Sequence, residues 1–272
     1  MFERICDNAE DEALTLQYGC AKGVEYFKVC EYENAVEFIG AAINRYGSLS
    51  DDKKNQYGDH LYAHSLQLLG IIKNDNSVVE QAAGLFRTLL ADAIKLNLTE
   101  FAIAEYRRAL AECERHLGNI ESSIHFLGES LKLDPSLITK VLLAQAHVRN
   151  GSPVSAREIL NEIDANEFEN QENQYDFAMA LTELALFSRD ANDIEIAKNQ
   201  LQICPVSGPH FAHRSQQALI QLLETATTSS DSSLKRLAKA INRCVILNPN
   251  FFGIGININR IVDEFFETER TE

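Results

Sequence analysis

Apolar residues recur along this chain at intervals of three and four rather than two, the spacing of a helix face and not of a half-buried strand. The clearest instance is Ile120 to Ser136. There Ile120, Ile124, Leu127, Leu131 and Leu133 mostly keep helical spacing, Gly118-Asn119 supplies a turn in front, and Pro135 stops the helix. Proline has no amide proton to donate and pushes the residue before it out of the helical region. Only five prolines and thirteen glycines punctuate the whole sequence, so the pattern predicts an all-α protein. Residues 1–15 carry a weaker stripe, Phe2, Ile5, Ala9, Ala13 and Leu16, that predicts a lead helix.

Small residues recur where two helices of a hairpin would touch. In the stretch from Tyr18 to Ile43 these are Gly23 on the first helix and Ala35 and Ala42 on the second, with Tyr26 filling the gap beside them. Leu66, Leu69 and Gly70 face Ala82, Ala83, Phe86 and Leu89 in the next pair, and Leu110 and Ala111 face Ser123 in the third. Leu143 and Ala144 with Ala156 and Leu160, then Leu184 and Ala185 with Ala197 and Leu201, continue the series. Leu133-Asp134-Pro135 is echoed by Leu247-Asn248-Pro249.

This pattern resembles the tetratricopeptide (TPR) family. The resemblance implies a right-handed superhelix of about six antiparallel helical hairpins in one repeat domain, residues 1–249, with units near 16–48, 57–97, 99–135, 137–168, 174–208 and 211–249. The chain departs from the family pattern in having no tryptophan and only two closing prolines. Between the first two units, Gly47 to Lys54 reads as a loop with Ser50 or Asp51 as a helix cap; within the second, fifth and sixth units, Lys73 to Ser77 and Asp190 to Asp193 read as turns and Thr225 to Ser233 as a polar inter-helix loop. After Pro249 a new stripe, Ile258, Ile261, Val262, Phe265 and Phe266, predicts a helix within 250–272 that caps the last unit or docks on another protein or a second copy, making a homodimer.

A net charge of -15 opposes general attraction to nucleic acid and to anionic membranes. No run reaches the ~20 apolar residues of a spanning helix, and the start lacks the regions of a signal peptide, so the expectation is a cytoplasmic protein. Six scattered cysteines without a C-x-x-C pair predict reduced thiols on helix faces, with neither a disulfide framework nor a zinc knuckle.

Catalytic patterns are sparse. His60 and His64 share a helix face, but the glutamate of a His-Glu-x-x-His site and a third ligand are missing. His210 and His213 stand in what reads as a Pro-Gly-rich loop. There is no nucleophile elbow and no phosphate loop, and Gly253-Ile-Gly255 lacks the third glycine of a dinucleotide fingerprint. The expectation is a non-enzymatic protein without cofactor or metal.

The resemblance places the first helix of each hairpin along the concave groove. Its peptide-reading positions are then Gln67 and Asn74, Arg108, Glu112 and Arg115, Gln145 and Arg149, and Arg189. Arginine recognises carboxylate or phosphate in a planar, bidentate way, so the favoured partner is a protein or peptide with an acidic or phosphorylated segment. In the competing reading these arginines simply pair with Glu105, Glu112 and Glu114 on solvated helix faces. Two other function classes are a regulatory subunit binding a small molecule or nucleotide around Tyr62, His64, Arg108 and His147, and a helical enzyme with a composite site at His60 and His64.

Overall fold

The computed structural model describes residues 12–50, 54, 56–168, 170–204 and 208–227. Within them the chain is helical: α1 Glu12–Lys28, α2 Tyr32–Gly47, α3 Gln56–Lys73, α4 Asn76–Lys95, α5 Glu100–His116, α6 Ile120–Leu133, α7 Leu137–Arg149, α8 Pro153–Asn161, α9 Gln171–Ser188, α10 Ala191–Ile203 and α11 Gly208–Thr227. A single 3-10 turn, Ala165–Glu167, precedes α9, and no strand occurs among the described residues. The chain divides into two compact units, Met1–Ile159 and Leu160–Glu272, and α8 crosses the boundary.

In the first unit successive helices pair as antiparallel hairpins: α1 with α2, α3 with α4, and α5 with α6. Links of two or three residues leave each pair no other arrangement. Side chain fills the space between α3, α4 and α5, where Ala63, Val79, Ala82, Ala83, Phe86, Leu110 and Cys113 are buried. A second cluster joins α5, α6 and α7 through Ala111, Leu127, Leu142, Leu143 and Ala146, with Ile159 packed against it. The small residues act as the sequence pattern predicts. A Cβ on Gly23 would stand 3.2 Å from the Ala35 carbonyl and inside contact distance of Ile39, and one on Gly70 only 2.9 Å from the Val79 backbone nitrogen. Ser123, 0% exposed, holds the equivalent place on α6.

The first helix of every described hairpin ends the same way. Cys30, Asn74, Gly118, Gly151 and Arg189 follow α1, α3, α5, α7 and α9 with positive φ, between 52° and 87°. After α1, α3, α5 and α7 the amide next along from the positive-φ residue then reaches back to a carbonyl in the helix's last turn. The bonds are Glu31 N to Tyr26 O at 2.9 Å, and Asp75 N to Gly70 O, Asn119 N to Glu114 O and Ser152 N to His147 O at 2.8 Å. The next helix is started by a side-chain cap where the sequence offers one: Asp75 accepts from Ser77 N and Val78 N before α4, and Asp190 from Asn192 N and Asp193 N before α10.

Some local expectations shift. Asp193 belongs to α10 rather than to the turn, because Asp190 already caps that helix. Thr225 lies inside α11, which runs to Thr227, where its hydroxyl donates to the Gln221 carbonyl. Pro209 sits in the first turn of α11, where a missing amide proton costs nothing, so His210 and His213 are helical and not in a loop.

The second unit packs α9, α10 and α11 on one another. Ala178, Leu184, Ala185, Ala197, Leu201, Ala218 and Leu222 are buried in it. The lead stripe Phe2 to Ala9, the Asp51 cap, the second helix of the sixth unit and the 250–272 helix lie outside the described residues. No described helix is long and apolar enough to cross a membrane.

Candidate functional site

Three first helices of the first unit each carry a polar stripe at helical spacing: His60, His64 and Gln67 on α3; Glu105, Arg108, Glu112 and Arg115 on α5; Gln145 and Arg149 on α7. Side-chain bonds stitch these stripes into one face. Gln67, 5% exposed, donates from Nε2 to the Ala109 carbonyl and to Glu112 Oε2, both at 3.3 Å. Arg115 donates from Nη1 to Gln145 Oε1 at 3.0 Å, joining α5 to α7. Gln67 and Gln145 are therefore buried spacers that hold neighbouring helices in register, and they present Glu112 and Arg115 rather than reaching outward themselves.

The charges on α5 differ in how they are satisfied. Arg108 is ion-paired with Glu105 one turn earlier on its own helix. Burial holds the Glu105 carboxyl above the usual range, opposed by Arg108 and reinforced by Asp134 and Glu112. Arg115, half-buried, has a neutral amide as its partner and makes no ion pair among the described residues. Its charge is fixed in place but not cancelled. Arg149 lies exposed in the last turn of α7, and Arg115 in the last turn of α5. The Arg115–Gln145 bond brings the last turn of α5 beside the C-terminal half of α7, one turn from Arg149.

Asn74 and Arg189 stand elsewhere. Both occupy the left-handed turn position after a first helix, so their backbones close the turn while their side chains are exposed. Arg189 belongs to the second unit. Of the glutamates expected to pair with the arginines, Glu105 does so with Arg108. Glu112 instead accepts from Gln67. Glu114, with a side chain 6% exposed, takes Arg87 of α4 at 2.7 Å and Asn119 at 2.7 Å, an arrangement that ties α4, α5 and the following turn together. Arg87 lies on α4, a second helix, and so outside the first-helix positions that the family resemblance implies.

The histidine pair is built into the same face. The His60 and His64 ring centroids are 4.5 Å apart, His60 meets Tyr106 edge-on at 5.5 Å, and His64 meets Phe86 at 4.8 Å. Burial first, then His60 and Arg108, pull the His64 imidazole down to about 4 against a hydrogen bond with Gln67. His64 is therefore neutral at pH 7. Among the described residues no group of three or more His, Cys, Asp or Glu could hold a metal ion. Tyr62 packs on Tyr46, centroids 5.6 Å apart, whereas Arg108 is close enough to His64 to shift it. His147 is half-buried on α7, and burial lowers its pKa.

Cys20 and Cys113 lie on helix faces, Cys30 in a turn and Cys204 at the end of α10; all four are free thiols. In the second unit Tyr175 of α9, 2% exposed, packs edge-on against Phe211 of α11 at 4.9 Å, and burial pushes its phenol up to about 12. The docking stripe Ile258, Ile261, Val262, Phe265 and Phe266 lies outside the described residues.

No family model and no curated protein matches the chain. Among solved structures, TPR-like repeats of a kinesin light chain from Podosopora anserina are similar at 18% sequence identity, covering 82% of this chain and 100% of that one with a TM-score of 0.45.

Proposed function

We propose that the chain is a non-enzymatic interaction module that binds an acidic segment of a protein or peptide along the face formed by α3, α5 and α7. The observation that carries this reading is Arg115. A guanidinium held by a neutral amide keeps its full charge and has lost part of its rotational freedom before any ligand arrives. Such preorganisation lowers the entropic cost of association, and hydrogen bonds to charged groups are stronger than neutral ones.

Arg149, one turn beyond Gln145 on α7, adds an exposed cation, and Arg108 lies one heptad before Arg115, two turns along the same face of α5. In the competing account, Arg115 and Arg149 complement the negative ends of their helix dipoles, a contribution of about 0.3–1 kcal/mol each. That account predicts a change in stability when they are replaced and no change in binding.

The test is charge reversal of Arg108 and Arg149 together. Fluorescence anisotropy with a labelled glutamate–glycine peptide should show binding to the wild type and none to the reversed variant, with the helical circular dichroism signal intact at the temperature of the assay. Equal binding by the two proteins would remove the face from the account. Phosphorylated peptides of the same length, run beside the glutamate–glycine peptide, distinguish carboxylate from phosphoryl recognition.

A further inference from the structure

We infer that Glu105 is an internal competitor for Arg108, occupying the guanidinium in the place of a ligand's carboxylate and setting how tightly an acidic segment can bind the α5 face. The inference rests on the reading of that face given above. Arg108 and Arg115 are seven residues apart on one stripe, yet they are satisfied in opposite ways: Arg115 by the amide of Gln145, Arg108 by the carboxylate of Glu105. Both members of the Glu105–Arg108 pair are about one-fifth exposed, 23% and 21%, and Glu105 already holds Nη2, so an incoming anion must share the guanidinium with the glutamate or displace it. Exchange of one carboxylate for another gains little from Arg108, while the displaced Glu105 is left beside Glu112 and Asp134, two further negative groups. At neutral pH burial keeps His60 and His64 on α3 uncharged, so neither offers Glu105 a replacement cation. The pair therefore charges every acidic ligand for displacement, and Arg115 alone offers an uncontested cation on α5.

Burial already raises the Glu105 carboxyl, so acidification removes the competitor's charge earlier than it would for a fully solvated glutamate. Glu112 and Asp134 raise it further and Arg108 opposes them. Protonated Glu105 releases Arg108 to the ligand.

The experiment uses the full chain and the labelled glutamate–glycine peptide. Glu105→Gln should tighten binding about twofold to fivefold, the range expected from relieving one partly exposed ion pair. The gain should vanish in the Glu105→Gln/Arg108→Gln double variant. Arg115→Ala is run in parallel. If Arg115→Ala weakens binding and Glu105→Gln leaves it unchanged, the face stands and the competitor role is overturned. If Arg115→Ala has no effect, the face itself is wrong. Phenylglyoxal modification of Arg108, followed by mass spectrometry without any peptide, then decides the inference separately. A faster reaction in Glu105→Gln than in wild type supports it, and an equal rate overturns it.

Discussion

Gln145, buried on α7, accepts the Nη1 proton of Arg115 on α5 at 3.0 Å, so one hydrogen bond both joins two hairpins and fixes an uncancelled positive charge. Replacing Gln145 by Leu keeps the volume and removes the acceptor. The variant should lose about 1 kcal/mol of stability in urea titration. Peptide binding should weaken several-fold because Arg115 is no longer held, while the helical signal stays intact.

Gly23→Ala tests the close approach of α1 and α2. The added methyl meets Ile39 and stands 3.2 Å from the Ala35 carbonyl, which belongs to backbone and cannot swing away. Overpacking of this kind costs about 1–3 kcal/mol, readable as a lower denaturation midpoint. Gly40→Ala on α2, where nothing stands within 4 Å, should be neutral or slightly stabilising and serves as the control.

Glu114 is a buried carboxylate of the first unit, and Arg87 and Asn119 satisfy it from two directions. Arg87→Met should destabilise the protein by about 1–3 kcal/mol, the penalty of leaving a buried charged acceptor short of a donor. Glu114→Gln should cost less, since the neutral amide no longer needs the cation. Equal losses for the two variants would mean that packing, not charge, dominates the contact.

The histidine pair gives a pH dependence with a defined sign. His64 titrates near 4 in the folded protein and near its ordinary 6.5 when unfolded, so between those values the unfolded chain binds more protons. The stabilisation from keeping His64 neutral is complete above the unfolded value and is lost as pH falls toward the folded one. At about 1.4 kcal/mol per unit, the loss reaches about 3 kcal/mol at most. Urea midpoints measured at intervals from neutral to acidic pH should fall for wild type and fall less steeply for His64→Leu. His60, also lowered by burial, leaves a residual slope of the same sign.

Much of the fold is legible in the sequence because hairpin packing is local. Gly23, Ala35, Ser123 and Ala156 announce close helix contacts by their size, and Pro135 announces a helix end by its missing donor. The candidate face is legible in part. Helical spacing alone puts Arg108, Glu112 and Arg115 on one stripe, but spacing cannot say that Gln67 and Gln145 are buried, since that depends on which neighbouring helix each one meets. Asn74 and Arg189 look like groove residues when counted from a repeat register. Their backbones, at φ 52° and 55°, identify them as the turn position that Gly118 and Gly151 fill elsewhere. The glycines were the available signal: aligning the ends of the first helices, rather than their middles, puts all four residues in one column. Arg87 could not have been found from the first helices at all, because its partner Glu114 lies on the next hairpin.

Arg189 then carries a prediction of its own. A non-glycine residue in the left-handed region is strained relative to glycine, so Arg189→Gly should stabilise the second unit by up to about 1 kcal/mol, seen as a higher melting temperature. An unchanged or lower melting temperature would mean that the arginine side chain contributes contacts that offset the strain.

The central claim is that Arg115 is a charge held ready for an acidic ligand. Its most direct measurement is the affinity of the labelled glutamate–glycine peptide for wild type and for Arg115→Ala, with the matching glutamine–glycine peptide as control. The account predicts about a tenfold loss, the effect of removing one hydrogen bond to a charged group, together with no binding of the control peptide to either protein. Equal affinity of wild type and Arg115→Ala for the acidic peptide would contradict it.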